Sequence, residues 1–226
     1  MTALPATPVS SKTLAETIRD DLIRLIITGA LKPGDRLNEA HLSQAFGTSR
    51  GPVREAAQEL IGLGFVASKV RVGFFVATLT PKEIIDLYEA KPWMDRALIN
   101  DLVKYADVET LRTIRADIES IDASSRPRFG QTLFEFRSRM VGQLHNRFLA
   151  EQLLALYRKF YLITGLVSIR VDDEDARVAR IIGTLRGFFD ALIEGDADRA
   201  TEVADADTAY WLKDIAPRFA ERKIVS

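Results

Sequence analysis

Apolar residues recur at three- and four-residue spacing through most of the chain, and this periodicity restricts the fold more than any other feature. Thr80 followed by Glu83 matches a capping box and predicts the start of a long amphipathic helix. We find no convincing strand pattern beyond it. The second part of the chain is therefore predicted to be an all-helical bundle of about six helices, the later five over residues 108–122, 130–144, 147–168, 173–194 and 197–222.

The first 80 residues combine helical patterns with two short strand patterns. One helix is predicted to end at Gly29, and Asn38 and Ser49 are predicted to cap two more. Two helices joined by a tight glycine turn form a helix-turn-helix, and strand-like runs at 65–68 and 74–77 add a wing. The fold class is mainly α, with a flexible arm (1–10), a winged helix-turn-helix domain (11–78) and a helical domain (79–226).

Composition excludes several classes of protein. The chain has no cysteine, so disulfide scaffolds and cysteine-based zinc or iron–sulfur sites are impossible. Its longest nearly apolar stretch, Phe160 to Ile169, has about half the length of a bilayer-spanning helix, and no secretory leader pattern opens the chain. We therefore expect a cytoplasmic protein that binds no membrane.

The charge is unevenly distributed along the chain. The net charge of −1 by itself argues against a nucleic-acid partner, which usually requires a basic excess. Residues 1–80, however, carry nine basic and seven acidic side chains, so a mildly basic first domain is joined to a mildly acidic remainder. Arg50 and Arg54 lie one turn apart near the start of the third helix, and Lys69 and Arg71 lie at the hairpin tip.

Two interpretations of these arginines are open. In a helix-turn-helix the second helix of the pair enters the major groove, where arginine bonds guanine or phosphate. Alternatively, Arg50 and Arg54 are solvated charges with Glu55 or Glu59 as weak partners.

At these residues the sequence resembles the GntR superfamily of bacterial transcription regulators, in particular its FadR-like subgroup. The resembling stretch runs from Ile26 to Ala56 and continues through 60–66 to the wing. The resemblance implies a dimer on a pseudo-palindromic DNA operator. It also implies DNA contacts from the start of the recognition helix and, into the minor groove, from the wing tip: Ser49, Arg50, Gly51, Arg54, Arg71 and Gly73. One departure is Ala40, where some relatives carry a contacting arginine.

The second part resembles the FCD-type helical effector domain of that subgroup, through residues 80–90, Asn146 and 195–197. This resemblance implies a ligand-sensing and dimerisation domain. Many such domains hold a divalent metal with an Asp-x-x-x-His pair and two later histidines. The corresponding positions here are Leu133, Arg137, Leu185 and Asp207, and none retains its expected residue. The two histidines, His41 and His145, cannot supply a three-histidine site, so we predict no metal and no cofactor.

Arg137, in a histidine position, has three possible roles. It pairs with Asp207, it binds the carboxylate or phosphate of a ligand, or its helix is rotated and it is solvated. Weaker candidates for a ligand pocket are Lys91, Tyr88, Tyr161, Arg186 and Trp211. The predicted effector is a small organic acid.

The predicted function is a ligand-responsive regulator, by default a repressor, that is not an enzyme. One alternative is a module whose winged domain binds proteins. A more distant alternative is a hydrolase with Ser49 as nucleophile and His145 as base, since residues 47–51 match G-x-S-x-G. The hydrolase motif needs a preceding strand, and here a helix is predicted to precede it, so the match is interpreted as chance.

Overall fold

The structure is a computed structural model that describes residues 12–121, 126–167 and 174–215. The side chains described are those of 12–121, 129–162 and 176–213. The predicted arm of residues 1–10 lies outside these ranges.

The first domain is a winged helix-turn-helix. Its elements are α1 (Leu14–Ile27), β1 (Arg36–Leu37), α2 (Glu39–Ala45), α3 (Arg50–Gly62), β2 (Val66–Lys69) and β3 (Gly73–Val76). The strands form an antiparallel sheet in the order β1-β3-β2. The sequence prediction missed β1, because two residues are too few to show an alternating pattern.

Local chemistry sets the helix starts of this domain. Thr13 and Glu16 form a capping box at α1, and the Asn38 side chain accepts hydrogen bonds from the amides of Ala40 and His41 at the start of α2. Ser49 holds the capping position of α3, as predicted, but its side chain makes no capping hydrogen bond within the described chain. The first amides of α3 therefore remain available to another acceptor.

The second domain is a bundle of six α-helices within the described ranges. Their bounds are α4 (Pro81–Tyr105), α5 (Val108–Asp117), α6 (Arg126–Val141), α7 (Arg147–Val167), α8 (Glu174–Glu194) and α9 (Ala197–Tyr210). A 3-10 turn at Ile118–Ser120 shortens the predicted fifth helix, and α9 continues as a π-helical turn over Trp211–Ile215. The end of the predicted last helix, 216–222, lies outside the described residues.

The two domains share packed contacts. Leu162 of α7 is buried within the apolar core of the winged domain, among residues of α1, α3 and the sheet. Gly130 of α6 lies so close to α1 that a Cβ there would be 3.4 Å from the carbonyl oxygen of Ile27. The rings of Phe65 and Phe134 meet edge to face with centroids 6.5 Å apart. Helices α6 and α7 therefore form the surface of the helical domain on which the winged domain packs.

None of the helices in the described part of the chain is long and apolar enough to cross a bilayer.

Candidate DNA interface and effector cavity

A cleft lies between the start of α3 and the wing, the hairpin of β2 and β3. We call it the α3–wing cleft. Its walls come from β1, the start of α2, one face of α3 and the hairpin turn: Arg36, Leu37, Asn38, Glu39, Ala40, Arg50, Arg54, Gln58 and 68–74. All six of the residues predicted to bind DNA lie in or beside it, with Ser49 and Gly51 exposed at the first turn of α3. Positively charged side chains and free helix amides face the same solvent space, which suits a phosphate-bearing partner.

The arginines of α3 have few internal partners. Arg54 contacts Glu39 at 3.4 Å and remains largely exposed, so this ion pair is weak. The partners expected from the sequence, Glu55 and Glu59, are not used, since Glu59 pairs with Arg19 of α1 at 2.7 Å. In the described ranges Arg50 has no carboxylate within 4.0 Å.

The wing turn presents its cations outward. Arg71 has a φ of +61°, a left-handed conformation that is uncommon for a residue with a side chain, and Gly73 follows with a φ of +124°. The amide of Val72 donates to the carbonyl of Lys69 at 3.0 Å and closes the turn. Val70, between the two cations, is 86% exposed.

A second cavity lies inside the helical domain. It has two small, partly open lobes with volumes of about 50 and 60 Å³, which share Lys91, Arg137, Thr184, Leu185 and Asp207. We call it the helical-domain cavity. Apart from these residues and Asp95, Arg177 and the tyrosines Tyr88 and Tyr157, its walls are mostly apolar: Leu98, Leu133, Phe136, Met140, Phe160, Ile181, Phe188, Ala204 and Trp211.

Lys91 is satisfied within the protein. Its ammonium group contacts the Asp95 carboxylate at 2.5 Å, donates to the hydroxyl of Thr208 at 3.3 Å, and is almost fully buried with its partner. Burial raises the pKa of Asp95, while the Lys91 charge opposes that rise. This pair therefore forms a fixed polar floor of the cavity.

Arg137 has aromatic rather than acidic neighbours. Its guanidinium lies over the rings of Tyr157 and Tyr161, at 5.3 and 5.9 Å from their centroids. Within the described residues no carboxylate lies within 4.0 Å of it. Burial raises the pKa of Tyr161 to about 12, although the Arg137 charge acts in the opposite direction.

The predicted pair of Arg137 with Asp207 is not formed. Asp207 instead accepts a hydrogen bond from Arg180 of α8 at 2.8 Å, and Arg180 stacks on Tyr210 at 3.7 Å. The interpretation of Arg137 as a simply solvated residue is also wrong, because its side chain is half-buried and lines both lobes. Ligand binding by Arg137 stays a prediction.

The other pocket candidates separate into three groups. Tyr88 and Trp211 line one lobe, with their rings stacked 5.3 Å apart. Tyr161 is buried behind the wall, beneath Arg137. The prediction of Arg186 as a pocket residue is wrong, because Arg186 lies outside the cavity. It follows Leu185 and points to a different side of α8, where its guanidinium bonds Glu119 at the surface.

The residues do not fit a divalent metal. Leu133, Arg137, Leu185 and Asp207, the positions compared above with metal ligands, all line the helical-domain cavity. Two are apolar, one is a cation, and Asp207 is already paired with Arg180, so the set offers a single committed carboxylate. The chemistry of this cavity is that of cations facing an apolar space.

The sequence prediction missed four polar residues that line the cavity, Asp95, Tyr157, Arg177 and Thr184, and it missed Arg180, which does not line the cavity but pairs with Asp207. A signal for most of them existed. Asp95 is four residues after Lys91 on α4, and Arg177, Arg180 and Thr184 are three and four apart on α8. Polar residues at such spacing share one helix face and form a stripe on an otherwise apolar helix.

The hydrolase alternative finds no support in the geometry. Ser49 follows α2 and a turn, whereas a nucleophile elbow follows a strand. His145 belongs to the other domain, where its ring stacks on Tyr105 at 4.4 Å and its amide donates to Asp101.

A winged helix-turn-helix with a cationic cleft, joined to a helical domain whose mostly apolar cavity holds a few charged side chains, defines a DNA-binding protein with a built-in sensor domain. The chain belongs to the GntR family of bacterial regulatory proteins, whose pattern matches residues 14–76, and its FCD domain matches residues 86–208. It is a transcriptional regulator.

Two relatives similar in sequence are named as transcriptional regulators, and a solved structure shares the fold. The Nta operon transcriptional regulator of Aminobacter aminovorans is 25% identical over 193 residues, which cover 76% of this chain and 91% of that one. The gluconate operon transcriptional repressor of Bacillus subtilis is 30% identical over 107 residues, 47% of this chain and 43% of that one. A GntR protein structure from Rhodococcus sp. RHA1 has the same fold, with a TM-score of 0.73 and 22% identity over 92% of this chain and 97% of that one.

Proposed function

We propose that this protein is a cytoplasmic repressor that binds a pseudo-palindromic operator as a homodimer and is released by a small organic acid. The observation that carries the DNA-binding part is the α3–wing cleft, where the exposed arginines of α3 face the wing cations. A related chain named as a repressor supports the direction of regulation.

The proposed docking places the start of α3 in the major groove. Ser49, Arg50, Gly51 and Arg54 then face base edges and phosphates, while Arg71 and Gly73 bring the wing tip to the adjacent minor groove. Two such domains in a dimer would read half-sites separated by about one turn of DNA, roughly 34 Å.

The test is binding to a duplex selected in vitro with the full-length protein. Arg50→Ala and Arg54→Ala are expected to weaken binding at least tenfold, and binding by the unmodified protein should fall steeply with salt because phosphate contacts release counterions. Arg24→Ala is the matched control, since Arg24 is exposed on α1, pairs with Asp21 and lies outside the cleft. Salt-independent binding would favour a module that binds proteins instead.

For the effector we propose an organic acid whose carboxylate bonds Arg137. Lys91 and Asp207 are committed to Asp95 and Arg180, whereas Arg137 lies over tyrosine rings and has no carboxylate within 4.0 Å among the described residues. A half-buried guanidinium with unused donors favours a bidentate anion. The largely apolar walls favour a ligand with an apolar body.

A thermal-shift screen of carboxylates tests the effector. An acid that raises the melting temperature of the protein should lose this effect in Arg137→Met and retain it in Arg186→Met, since Arg186 lies outside the cavity. The screen is run with and without zinc or nickel. A large metal-dependent shift that a chelator abolishes would contradict the metal-free site.

The oligomeric state needs its own measurement. Sedimentation equilibrium of the full-length chain should give twice the mass of 25.3 kDa. A monomer at the concentration that saturates the operator would contradict the dimeric docking.

A further inference from the structure

We propose that Arg36 of β1 contacts a DNA phosphate in the α3–wing cleft and at the same time fixes the position of the wing. This inference rests on the proposed function of the cleft, and it adds a residue that neither the sequence prediction nor the comparisons assign.

Arg36 joins the two sides of the cleft. Its NH2 group donates to the carbonyl oxygen of Val72 in the wing turn at 2.7 Å. A Cβ placed on Gly73 would lie 3.8 Å from the Nε and NH2 atoms of the same guanidinium. The residue also lines the cleft together with Arg50 and Arg54. The Arg36 side chain therefore runs along the base of the wing and faces the start of α3.

The backbone beneath Arg36 is held firmly. Leu37 is buried in the winged core and pairs with Phe74, and Arg36 itself pairs with Phe75. On the preceding residues, the carbonyl of Asp35 accepts from the amide of Val76 at 2.9 Å. A short strand anchored in this way presents an exposed side chain from a fixed origin, which lowers the entropic cost of binding through it.

The charges in the cleft leave Arg36 available to an anion. Arg54 is partly neutralised by Glu39, whereas in the described part of the chain neither Arg36 nor Arg50 has a carboxylate within 4.0 Å. Arginine has five N–H donors, and the bond to Val72 uses one. Two guanidinium groups that line one cleft suit a phosphate, whose oxygens accept hydrogen bonds from arginine.

Among the described residues, helix α2 contributes no cation to the walls of the cleft. Ala40 lies on the same cleft and contributes no cation from α2. Arg36 reaches the same space from β1 on the other side. A phosphate bound there is linked through Arg36 to Val72, so the backbone contact and the pose of the wing become coupled.

The experiment compares Arg36→Ala, Arg36→Lys and Lys32→Ala in the full-length protein. Binding to the duplex selected in vitro is measured by fluorescence anisotropy between 50 and 200 mM salt, the range over which phosphate contacts change affinity strongly. Arg36→Ala should weaken binding roughly tenfold and reduce the slope of log affinity against log salt by about 0.9 for each phosphate that is no longer neutralised, hence by about two in a dimer. Lys32 is exposed in the turn just before β1 and outside the cleft, so Lys32→Ala should match the unmodified protein.

Arg36→Lys separates the two roles. A lysine retains the charge but not the planar fork, so the salt slope should recover while the amides of residues 69–73 exchange hydrogen faster than in the unmodified protein. An unchanged slope in Arg36→Ala, with or without weaker binding, would overturn the phosphate contact. Unchanged exchange at 69–73 in both variants would overturn the bracing of the wing.

The failure of this inference is distinguishable from failure of the proposed function. If Arg50→Ala abolishes binding and Arg36→Ala does not affect it, only the role of Arg36 is wrong. If neither substitution matters and binding does not depend on salt, the α3–wing cleft is not a DNA interface.

Discussion

At the scale of single residues, helix α4 carries two Lys–Asp pairs of the same spacing in opposite environments. Lys91 and Asp95 are buried at 2.5 Å, whereas Lys82 and Asp86 are exposed at 2.6 Å. A buried pair owes little net stability to its attraction, because both ions lost their hydration, but removing one partner leaves a charge stranded in a medium of low polarity.

We therefore expect Asp95→Asn to lower the free energy of unfolding by about 3–5 kcal/mol. Asp86→Asn, with the same chemistry on the same helix, should have little effect because water replaces its contact. Urea denaturation of both variants measures the difference. The double change Lys91→Met with Asp95→Asn should recover part of the loss, and equal effects of the two single variants would contradict the distinction by burial.

A second prediction at the scale of single residues concerns the stability of the protein at acidic pH. The backbone amide of Thr80 and its side chain bond the Glu83 carboxylate, which lowers the pKa of Glu83 below its ordinary value. A carboxyl group with a lowered pKa in the folded state stabilises the protein above its unfolded pKa of about 4.3, and this contribution is lost as the pH falls through the folded pKa. Glu83→Gln should therefore lose stability near neutral pH and show a shallower decline below about pH 4.5. Unfolding curves between pH 3 and 7 measure both effects, and parallel curves would contradict the linkage.

At the scale of elements, helix α7 contributes buried side chains to the cores of both domains. Leu153, in its first half, is buried in the helical domain, and Leu162, in its second half, is buried among residues of the winged domain. Truncation of a buried leucine to alanine costs about 2–5 kcal/mol at either site. The two substitutions should differ in which domain they destabilise.

Leu162→Ala is expected to speed hydrogen exchange in α1 and α3, although the substitution lies outside the winged domain in sequence. Leu153→Ala is the matched control and should speed exchange within the helical bundle while leaving α1 and α3 near the unmodified rates. Exchange mapped by mass spectrometry distinguishes them. Identical patterns in the two variants would mean that the domains unfold as one unit.

The elements also show what the sequence could and could not predict. Helical periodicity located the described helices, because most of them bury one apolar stripe, and capping residues such as Asn38 located the starts of some, including the short α2. Boundaries failed where local geometry overrides the pattern, as in the 3-10 turn after Asp117. The cavity was predicted less well than the α3–wing cleft. The residues that line it come from five different helices, and the choice of Arg180 over Arg137 for Asp207 depends on packing that no local pattern records.

At the scale of the whole molecule, the two sites are connected by packed rings. Arg137 lies over Tyr161 at 5.9 Å, Tyr161 meets Phe134 edge to face at 4.8 Å, and Phe134 meets Phe65 at 6.5 Å, directly after α3. The lobes of the helical-domain cavity have volumes of only about 50 and 60 Å³, and α6 contributes Leu133, Phe136, Arg137 and Met140 to their walls, so we expect an organic acid to displace α6 as it enters. Gly130 and Phe134 of α6 pack against the winged domain, so such a displacement changes the surface on which that domain rests.

Regulation then requires that the acid bind the two poses of the winged domain with different affinity, and the coupling must be reciprocal. If the acid weakens operator binding tenfold, the operator must weaken acid binding tenfold, which corresponds to about 1.4 kcal/mol. We expect Phe134→Leu to reduce this factor toward one while each ligand still binds alone, because the substitution removes the ring that packs on Phe65 and Tyr161 but Phe134 lines neither the helical-domain cavity nor the α3–wing cleft. Phe136 lies two residues further along α6 and lines the cavity. Phe136→Leu should therefore change the affinity for the acid, while the coupling factor between acid and operator stays unchanged. Titrations of acid with and without operator, and of operator with and without acid, measure both sides of the cycle. A full coupling factor in Phe134→Leu would show that the signal reaches the winged domain by another contact, such as Leu162 of α7.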